Sequence, residues 1–265
     1  MRDKKDVLLI ILFSCFFITG CRSSDIINST WTDEPPALNG NYDDWRGKTF
    51  VAQDENLMIG AQNDTNFLYM VIMTGTQSNQ MQILGRGMTV WFDKTGGNDK
   101  DLGLKFPMGK TEAVMNPPFK RNEGENNSDM LNQMVNDAMA EGKLEVSGPG
   151  DSKRILYLAN EKSIVINLTF NNSVLIYELK IPLSNKFDNS FNLGVNDSTS
   201  VGVGFETPEF NFDKMMPPGN GKNMPDKGNG DHRPPPGMGP PEKNISMPQQ
   251  LKYWCVINLV SHKKH

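Results

Sequence analysis

Short apolar or alternating segments, separated by turn residues, recur along most of the chain. They run over 48–53, 57–62, 67–73, 88–92, 102–106, 154–158, 164–168, 174–181, 200–206 and 251–260. Runs this short, bounded by Asn, Asp and Gly and repeating about every ten residues, are typical of strands in a sandwich or barrel. The pattern therefore predicts an all-β fold, an antiparallel β-sandwich of the immunoglobulin-like or jelly-roll-like kind, in which the apolar strand 67–73 is buried on both faces.

Two segments interrupt the strand pattern, at 107–153 and 208–250. The first contains SDMLNQMVNDAMAE (128–141), whose apolar residues have helical spacing, which predicts one amphipathic helix capped by Ser128 and ended by Gly142. The second is rich in Pro, Gly and Met, which predicts a long disordered loop. Because strands resume after each interruption, we expect both to be insertions in a single domain over 31–265.

The segment QSNQMQILGR (77–86) has no clear period. It lies between two strong strand patterns and is polar at its start. The segment is ambiguous, and a loop with a short strand over 81–84 is one structure compatible with it.

The N-terminus has the features of an export signal. A basic start is followed by the apolar run 7–18, which is shorter than the roughly 20 residues that span a bilayer. Ile18-Thr19-Gly20-Cys21 then resembles the lipobox of bacterial lipoproteins. That resemblance implies removal of residues 1–20, acylation of Cys21 (palmitate among the chains), a tether over 21–30, and a place in the bacterial cell envelope, facing the periplasm or the exterior. An ordinary signal peptide with a chance cysteine is the alternative.

Charge and cysteine content narrow the function. The net charge is −4, and the chain carries no basic patch of the kind that binds nucleic acid. Of the three cysteines, Cys15 lies in the predicted signal and Cys21 at its end, so Cys255 is left without an internal disulfide partner. Because Cys255 lies in an apolar run, we expect a small buried hydrophobic side chain rather than a nucleophile.

Four motifs in a fixed order carry a family resemblance. They are LNGNYDDW (38–45), NDTNFLYMVIMT (63–74), MTVWFDKTGG (88–97) and YELKIPL (177–183). Together they resemble the family 9 carbohydrate-binding modules and the wider DOMON-like β-sandwiches. The resemblance implies a sandwich fold and a glycan as the leading ligand, while fold alone leaves the function open.

Trp45 and Trp91 are the candidates for a sugar platform, with Asp43 and Asp44 beside Trp45. An aromatic face stacks on the apolar side of a pyranose, and neighbouring carboxylates accept hydrogen bonds from its hydroxyls. The alternative is structural, with both tryptophans filling the core or sealing an end of the sandwich.

Two metal hypotheses arise from loops. Asp93, Asp99 and Asp101 offer closely spaced oxygens that suit calcium; a solvated polar turn is the alternative. The resemblance to DOMON-like domains, some of which bind haem through Met and His, makes His232, His262 and His265 candidate haem ligands. Soft thioethers in the second insertion suit copper, and the residues concerned are Met215, Met216, Met224, Met238, Met247 and His232. Compositional drift is the alternative there.

The chain carries no GxSxG, HExxH, P-loop or dinucleotide-binding motif. We therefore expect a non-catalytic ligand-binding lipoprotein without a cofactor, calcium aside. A structural or assembly lipoprotein that contacts envelope proteins through its insertions is the alternative function. An exposed apolar patch around the 128–141 helix would favour that alternative.

Overall fold

The computed structural model describes residues 24–109, 127–184, 191–197, 199–209 and 250–262. Within these residues two β-sheets pack face to face, so the predicted β-sandwich is confirmed. The predicted signal, Cys21, most of the disordered loop predicted over 208–250 and the five methionines of that loop lie outside the described residues.

The described residues form thirteen strands and two α-helices. The strands are β1 (Asp25–Asn28), β2 (Thr30–Trp31), β3 (Thr49–Ala52), β4 (Leu57–Asn63), β5 (Phe67–Thr74), β6 (Thr89–Asp93), β7 (Leu102–Lys105), β8 (Lys143–Ser147), β9 (Lys153–Tyr157), β10 (Val165–Asn171), β11 (Val174–Pro182), β12 (Ser200–Glu206) and β13 (Lys252–Asn258). The helices are α1 (Gln77–Arg86) and α2 (Asn127–Glu141).

Sheet I has seven strands in the order β1-β13-β12-β6-β7-β8-β9. Sheet II has six, in the order β10-β11-β5-β4-β2, with β3 also paired to β4. The pairs are antiparallel except β1 with β13 and β2 with β4, which are parallel. The last strand returns after the second insertion to pair with β12 along its whole length, as the sequence predicts.

Strand β5 is buried on both faces, which confirms the prediction for 67–73. Leu68, Met70 and Ile72 face the core between the sheets. Tyr69 and Val71 belong to a second cluster on the other face of sheet II. The indole of Trp45, from the segment after β2, packs against that face. Because side chains alternate along a strand, covering both faces explains the unbroken apolar run.

Segment 77–86 is helix α1, so the predicted loop with a short strand is wrong. Three of its polar residues, Asn79, Gln80 and Gln82, are buried, and Gln80 Nε2 donates to Thr74 O at 3.1 Å and to Ser173 O at 2.8 Å. Ile83 and Leu84 pack in the core. Since glutamines occupy buried positions that are usually apolar, the sequence shows no helical period here.

Three further segments refine the prediction. The predicted tether over 21–30 includes β1, whose Ile27 is buried, and the start of β2. Strand β8 lies inside the predicted insertion 107–153. Helix α2 begins and ends within one residue of its prediction. None of the described helices is long and apolar enough to cross a membrane.

Candidate functional site

The outer face of sheet I carries a row of alternating tryptophan and glycine. On β6, Val90 and Phe92 are buried in the core, so Trp91 between them points outward. The strand register places Trp91 opposite Gly103 of β7 and Gly204 of β12, and Gly204 opposite Trp254 of β13. We call Trp254, Gly204, Trp91 and Gly103 the tryptophan row.

Each indole of the row lies flat over the glycine of the next strand. A Cβ placed on Gly103 would lie 2.7 to 3.2 Å from three ring atoms of Trp91. A Cβ on Gly204 would lie 2.4 to 2.7 Å from three ring atoms of Trp254. Both tryptophans are half-buried, so part of each ring stays in contact with solvent. Their Cα atoms are two strands apart, about 10 Å at the usual strand spacing.

Charged groups border the row. The carboxylate of Glu206 accepts a hydrogen bond from Trp91 Nε1 at 3.0 Å, which fixes the orientation of that indole. Glu206 also forms ion pairs with Lys100 and, at 3.8 Å, with Lys252. The ammonium of Lys100 lies 5.2 Å from the centre of the Trp91 ring. Two half-buried aromatic rings are therefore flanked by fixed hydrogen-bond donors and acceptors.

A cleft of about 600 Å³ opens beside Trp254, between the start of β13 and the strand β3 of sheet II. We call it the edge cleft. It is lined by Ser24, Asp25, Phe50, Val51, Ala52, Gln53, Asp54, Glu55, Asn98, Lys252, Tyr253 and Trp254. Strand β1 pairs with β13 from Asp25 opposite Cys255 onward, and the cleft lies beside the preceding residues of β13.

Tyr253 lines the edge cleft, and its hydroxyl is hydrogen-bonded. It donates to Asp25 Oδ2 at 2.7 Å. Burial, the hydrogen bond to Asp25 and the negative charges of Asp25 and Glu55 raise the pKa of Tyr253 above its ordinary value. The phenol therefore stays protonated at neutral pH and serves as a hydrogen-bond donor.

Trp45 does not form part of a ligand platform, which corrects the prediction. Its side chain has no exposed surface, and its Nε1 donates to Glu178 Oε1 at 3.0 Å. The fully buried Glu178 also accepts from Gly40 N at 2.7 Å and from Asn167 Nδ2 at 3.0 Å. The structural alternative therefore holds for Trp45, which ties the opening turn to β10 and β11.

Asp43 and Asp44 lie with Trp45 in a short 3-10 helix, Tyr42–Trp45, on the sheet II side. Asp43 pairs with Arg46 at 2.6 Å in an exposed contact. Asp44 Oδ2 accepts from Ala37 N at 3.1 Å. Because Trp45 covers sheet II and Trp91 lies on the outer face of sheet I, the structure does not bring the four predicted ligand residues together.

Asp93 organises the loop that follows β6. The carboxylate is buried and accepts from Thr95 N at 2.8 Å, Thr95 Oγ1 at 2.6 Å and Asp99 N at 3.0 Å. Burial alone would raise the pKa of Asp93, but these bonds, with one from Gly97 N, hold it below its usual value. Asp99 thus contributes its backbone N–H to Asp93.

The methionines of the copper hypothesis lie outside the described residues, and the calcium hypothesis gains no ligand set within the described residues. Those residues contain no group of three His, Cys, Asp or Glu that could hold a metal ion, so Asp93, Asp99 and Asp101 do not form one. His262 packs beside Trp31, with ring centres 5.1 Å apart. His232 and His265 lie outside the described residues.

Cys255 is buried, as its apolar surroundings predict. Burial raises the pKa of the thiol to about 12, to which the negative charge of Asp25 also contributes. The side chain is therefore an uncharged, inaccessible thiol at neutral pH.

Sequence reasoning missed Trp254, Gly204, Gly103 and Glu206. Trp254 lies at an outward position of the last strand, directly before the buried Cys255, so alternation within β13 could have indicated a solvent-facing indole. The alternating glycines of SVGVGFE likewise mark a face on which a neighbouring side chain lies close to the backbone.

No protein-family model matches the sequence. A search of curated proteins gives no match either. In structure, the chain is similar to a family 9 carbohydrate-binding module from Caldicellulosiruptor kristjanssonii in complex with glucose, at 13% identity over 70% of this chain and 78% of that one, with a TM-score of 0.31. The same module in complex with cellotriose gives 12% identity over 70% and 77%, with a TM-score of 0.32.

A proposed carbohydrate-binding protein from Bacteroides uniformis is also similar, at 9% identity over 70% of this chain and 84% of that one, with a TM-score of 0.34. Two of these three solved structures belong to the family that the sequence motifs resemble. The sandwich itself is established by the strand pairing of this chain.

Proposed function

We propose that the protein is a non-catalytic glycan-binding lipoprotein of the bacterial cell envelope, and that the tryptophan row is its binding surface. The observation that carries the proposal is the arrangement of Trp91 and Trp254, two half-buried indoles lying flat on one row of a sheet face. Flat indoles stack on the apolar face of a pyranose, and Glu206, Lys100 and Lys252 are placed to bond its hydroxyls.

The spacing of the two indoles favours an extended ligand. Both rings are displaced in the same direction, each from its own strand onto the glycine of the next, so they repeat along the row. At about 10 Å between their Cα atoms, they are too far apart for one sugar ring to cover both. We therefore expect an oligosaccharide to bind more tightly than a monosaccharide.

The carboxylate beside the row suits binding rather than catalysis. Glu206 orients the indole by accepting from Trp91 Nε1, and it is itself paired with Lys100 and Lys252. Its oxygens thus already hold an indole N–H and two ammonium groups, which keeps the carboxylate in place beside the ring. In this proposal Glu206 positions the ring and bonds the ligand.

Helix α2 does not present the apolar surface that would favour the alternative, an assembly lipoprotein with protein partners. Leu131 and Val135 are buried, and Met134 and Met139 pack against the core. These four apolar side chains of the helix thus cover the sandwich.

Anchoring at Cys21 is the second part of the proposal. Because β1 begins at Asp25, only Arg22, Ser23 and Ser24 separate an acylated Cys21 from the sheet, at most about 14 Å of chain. Cys21→Ser should abolish labelling by a clickable fatty acid and release the protein from the membrane fraction. Cys255→Ser, which removes a buried thiol, is the matched control and should stay labelled and membrane-bound.

Glycan binding is tested with protein comprising residues 22–265, which keeps every described strand and helix. A glycan array identifies oligosaccharides, and calorimetry compares the wild type with Trp91→Ala and Trp254→Ala. We expect each variant to lose at least tenfold in affinity. Tyr42→Ala, which removes an exposed aromatic ring outside sheet I, is the control and should bind as the wild type does.

Two results would count against the proposal. One is an array without any saturable ligand, obtained on protein with a cooperative unfolding transition. The other is a glycan whose affinity is unchanged in both Trp91→Ala and Trp254→Ala. Since the rings lie on the outer face of sheet I and not in the core between the sheets, both variants should remain folded.

A further inference from the structure

We propose that Lys100 is a strap that covers Trp91 in the free protein, and that a glycan displaces it when it binds. This inference rests on the proposed function, since it concerns the access of a sugar to the same surface. Three observations carry it: the single open face of the Trp91 ring, the ammonium of Lys100 over that face, and the ion pair that holds the ammonium there.

Only one face of the Trp91 indole is open to a ligand. The other face lies on β7, where a Cβ placed on Gly103 would lie 2.7 to 3.2 Å from three ring atoms. The ammonium of Lys100 lies over the ring, 5.2 Å from its centre. Because the backbone of β7 occupies the inner side of the ring, the ammonium lies on the outward side, where a pyranose would stack.

The strand register explains why Lys100 passes over the ring. Lys100 belongs to the loop that joins the end of β6 to the start of β7. Its partner Glu206 lies opposite Thr89, the first residue of β6. Trp91 is in the middle of β6, between these two levels of the sheet. A side chain that reaches from the loop to Glu206 therefore passes the indole.

Glu206 holds the strap and the ring together. Its carboxylate pairs with Lys100 and accepts from Trp91 Nε1 at 3.0 Å. The lysine side of the pair is open to solvent, with 45% of the Lys100 side chain exposed. An exposed ion pair contributes little, and a cation over an exposed ring adds a similarly small attraction. A ligand can therefore displace the strap while Glu206 keeps its bond to the indole.

The strap makes Lys100 a competitor of the sugar. A stacked pyranose and the ammonium need the same face of Trp91, so a bound glycan breaks the contact between Lys100 and the ring. Salt screens exposed charges and thus weakens the pair of Lys100 with Glu206. A neutral glycan should therefore bind more tightly as the salt concentration rises.

The first test removes the strap. Calorimetry measures the affinity for cellohexaose, an uncharged oligosaccharide long enough to reach both indoles of the row. Lys100→Ala should bind it about threefold more tightly than the wild type, or better. Lys153→Ala is the matched control and should bind as the wild type does, because Lys153 forms a similar exposed pair, with Glu145 at 2.9 Å, three strands away from β6.

Ionic strength tests the same contact without a variant of the binding surface. Raising the salt concentration from about 20 mM to about 0.5 M should strengthen binding of cellohexaose to the wild type about twofold. The affinity of Lys100→Ala should stay constant over that range, since the screened pair is absent from it. If cellohexaose does not bind, the neutral oligosaccharide selected by the array replaces it in both tests.

NMR of the lysine side chains gives a signature that a merely neighbouring residue would not show. The ring current of Trp91 should move the ε-methylene ¹H signals of Lys100 upfield in the free protein. Cellohexaose should return them to their ordinary position, while the signals of Lys153 stay in place. Trp91→Ala should have the same effect on Lys100 without any ligand.

Two results would overturn the inference and leave the proposed function standing. One is an ordinary position of the Lys100 signals in the free protein. The other is saturable binding that is equal or weaker in Lys100→Ala, since Lys100 would then not obstruct the ring. An array without any saturable ligand would overturn the proposed function and this inference with it.

Discussion

Trp45 donates its indole N–H to Glu178 at 3.0 Å, and neither side chain has exposed surface. The same carboxylate accepts from Gly40 and Asn167, so one buried acid joins the opening turn to two strands of sheet II. The LNGNYDDW and YELKIPL motifs meet at this point. The two motifs therefore occur together because their residues form one buried hydrogen-bond network. This network lies on the outer face of sheet II, opposite to the proposed site.

Removing Glu178 should destabilise the protein. Glu178→Ala leaves the donors of Trp45, Gly40 and Asn167 without an acceptor, and a buried unpaired donor costs about 1–3 kcal/mol. We expect the free energy of unfolding in urea to fall by about 3 kcal/mol or more.

The control for this change is Glu141→Ala, which removes a half-exposed carboxylate paired with Lys143. Exposed pairs contribute about 0–1 kcal/mol, so its unfolding curve should hardly move. Equal stability of Glu178→Ala and Glu141→Ala would contradict the structural role of Glu178.

A methyl group on Gly204 should displace the indole of Trp254. In Gly204→Ala the new Cβ would lie 2.4 Å from the ring, so the ring has to leave the sheet. We expect a stability loss of about 1–3 kcal/mol, as for other overpacked sites, a shift in tryptophan fluorescence, and weaker glycan binding.

Gly75→Ala is the matched control, since nothing lies within 4 Å of a Cβ at that position. It should preserve the fluorescence spectrum and the affinity. If Gly204→Ala also preserved the fluorescence spectrum and the affinity, the packing of the Trp254 ring on Gly204 would have no part in binding.

Asp93 should make stability depend on pH in the acid range. Its pKa is lowered in the folded protein, so its contribution is present above the unfolded pKa of about 3.9 and is lost as the pH falls through the folded value. Asp93→Asn should therefore be less stable than the wild type at pH 7, by about 1.5–3 kcal/mol for lost bonds to a charged group.

The difference between the two proteins should shrink as the pH falls below about 3.9, because the carboxyl of the unfolded wild type then becomes protonated, and it should vanish once the pH is below the lowered pKa of the folded protein. Urea unfolding at a series of pH values between 7 and 2 measures it. A difference that stays constant over that range would show that charge on Asp93 does not stabilise the loop.

Much of the fold could be predicted because its signals are local. The strands of sheet II show apolar runs and turn residues, and α2 shows a clear helical period between its cap and its stop. Helix α1 was not predicted because Gln80 and Gln82 occupy buried positions that are usually apolar, so the helical period is hidden. These side chains are hydrogen-bonded to distant backbone groups. Strands β1 and β2 are short, and their pairing with β13 and β4 is set by chain segments far away.

The site was less predictable for a related reason. Trp45 and Trp91 each lie in one of the four sequence motifs, and nothing near them in the sequence shows that one is buried and the other half-exposed. The neighbours of Trp91 are Gly103 and Gly204, brought beside it by strand register. Trp254 joins the row only because β13 pairs with β12, across the second insertion.

The most direct test of the tryptophan row is a glycan titration followed by ¹H–¹⁵N NMR of the four indole N–H signals, each assigned with a Trp→Phe variant. The account predicts that the signals of Trp91 and Trp254 move with ligand concentration, while that of the buried Trp45 stays in place. Movement of Trp45 or Trp31 with Trp91 and Trp254 unaffected would contradict it.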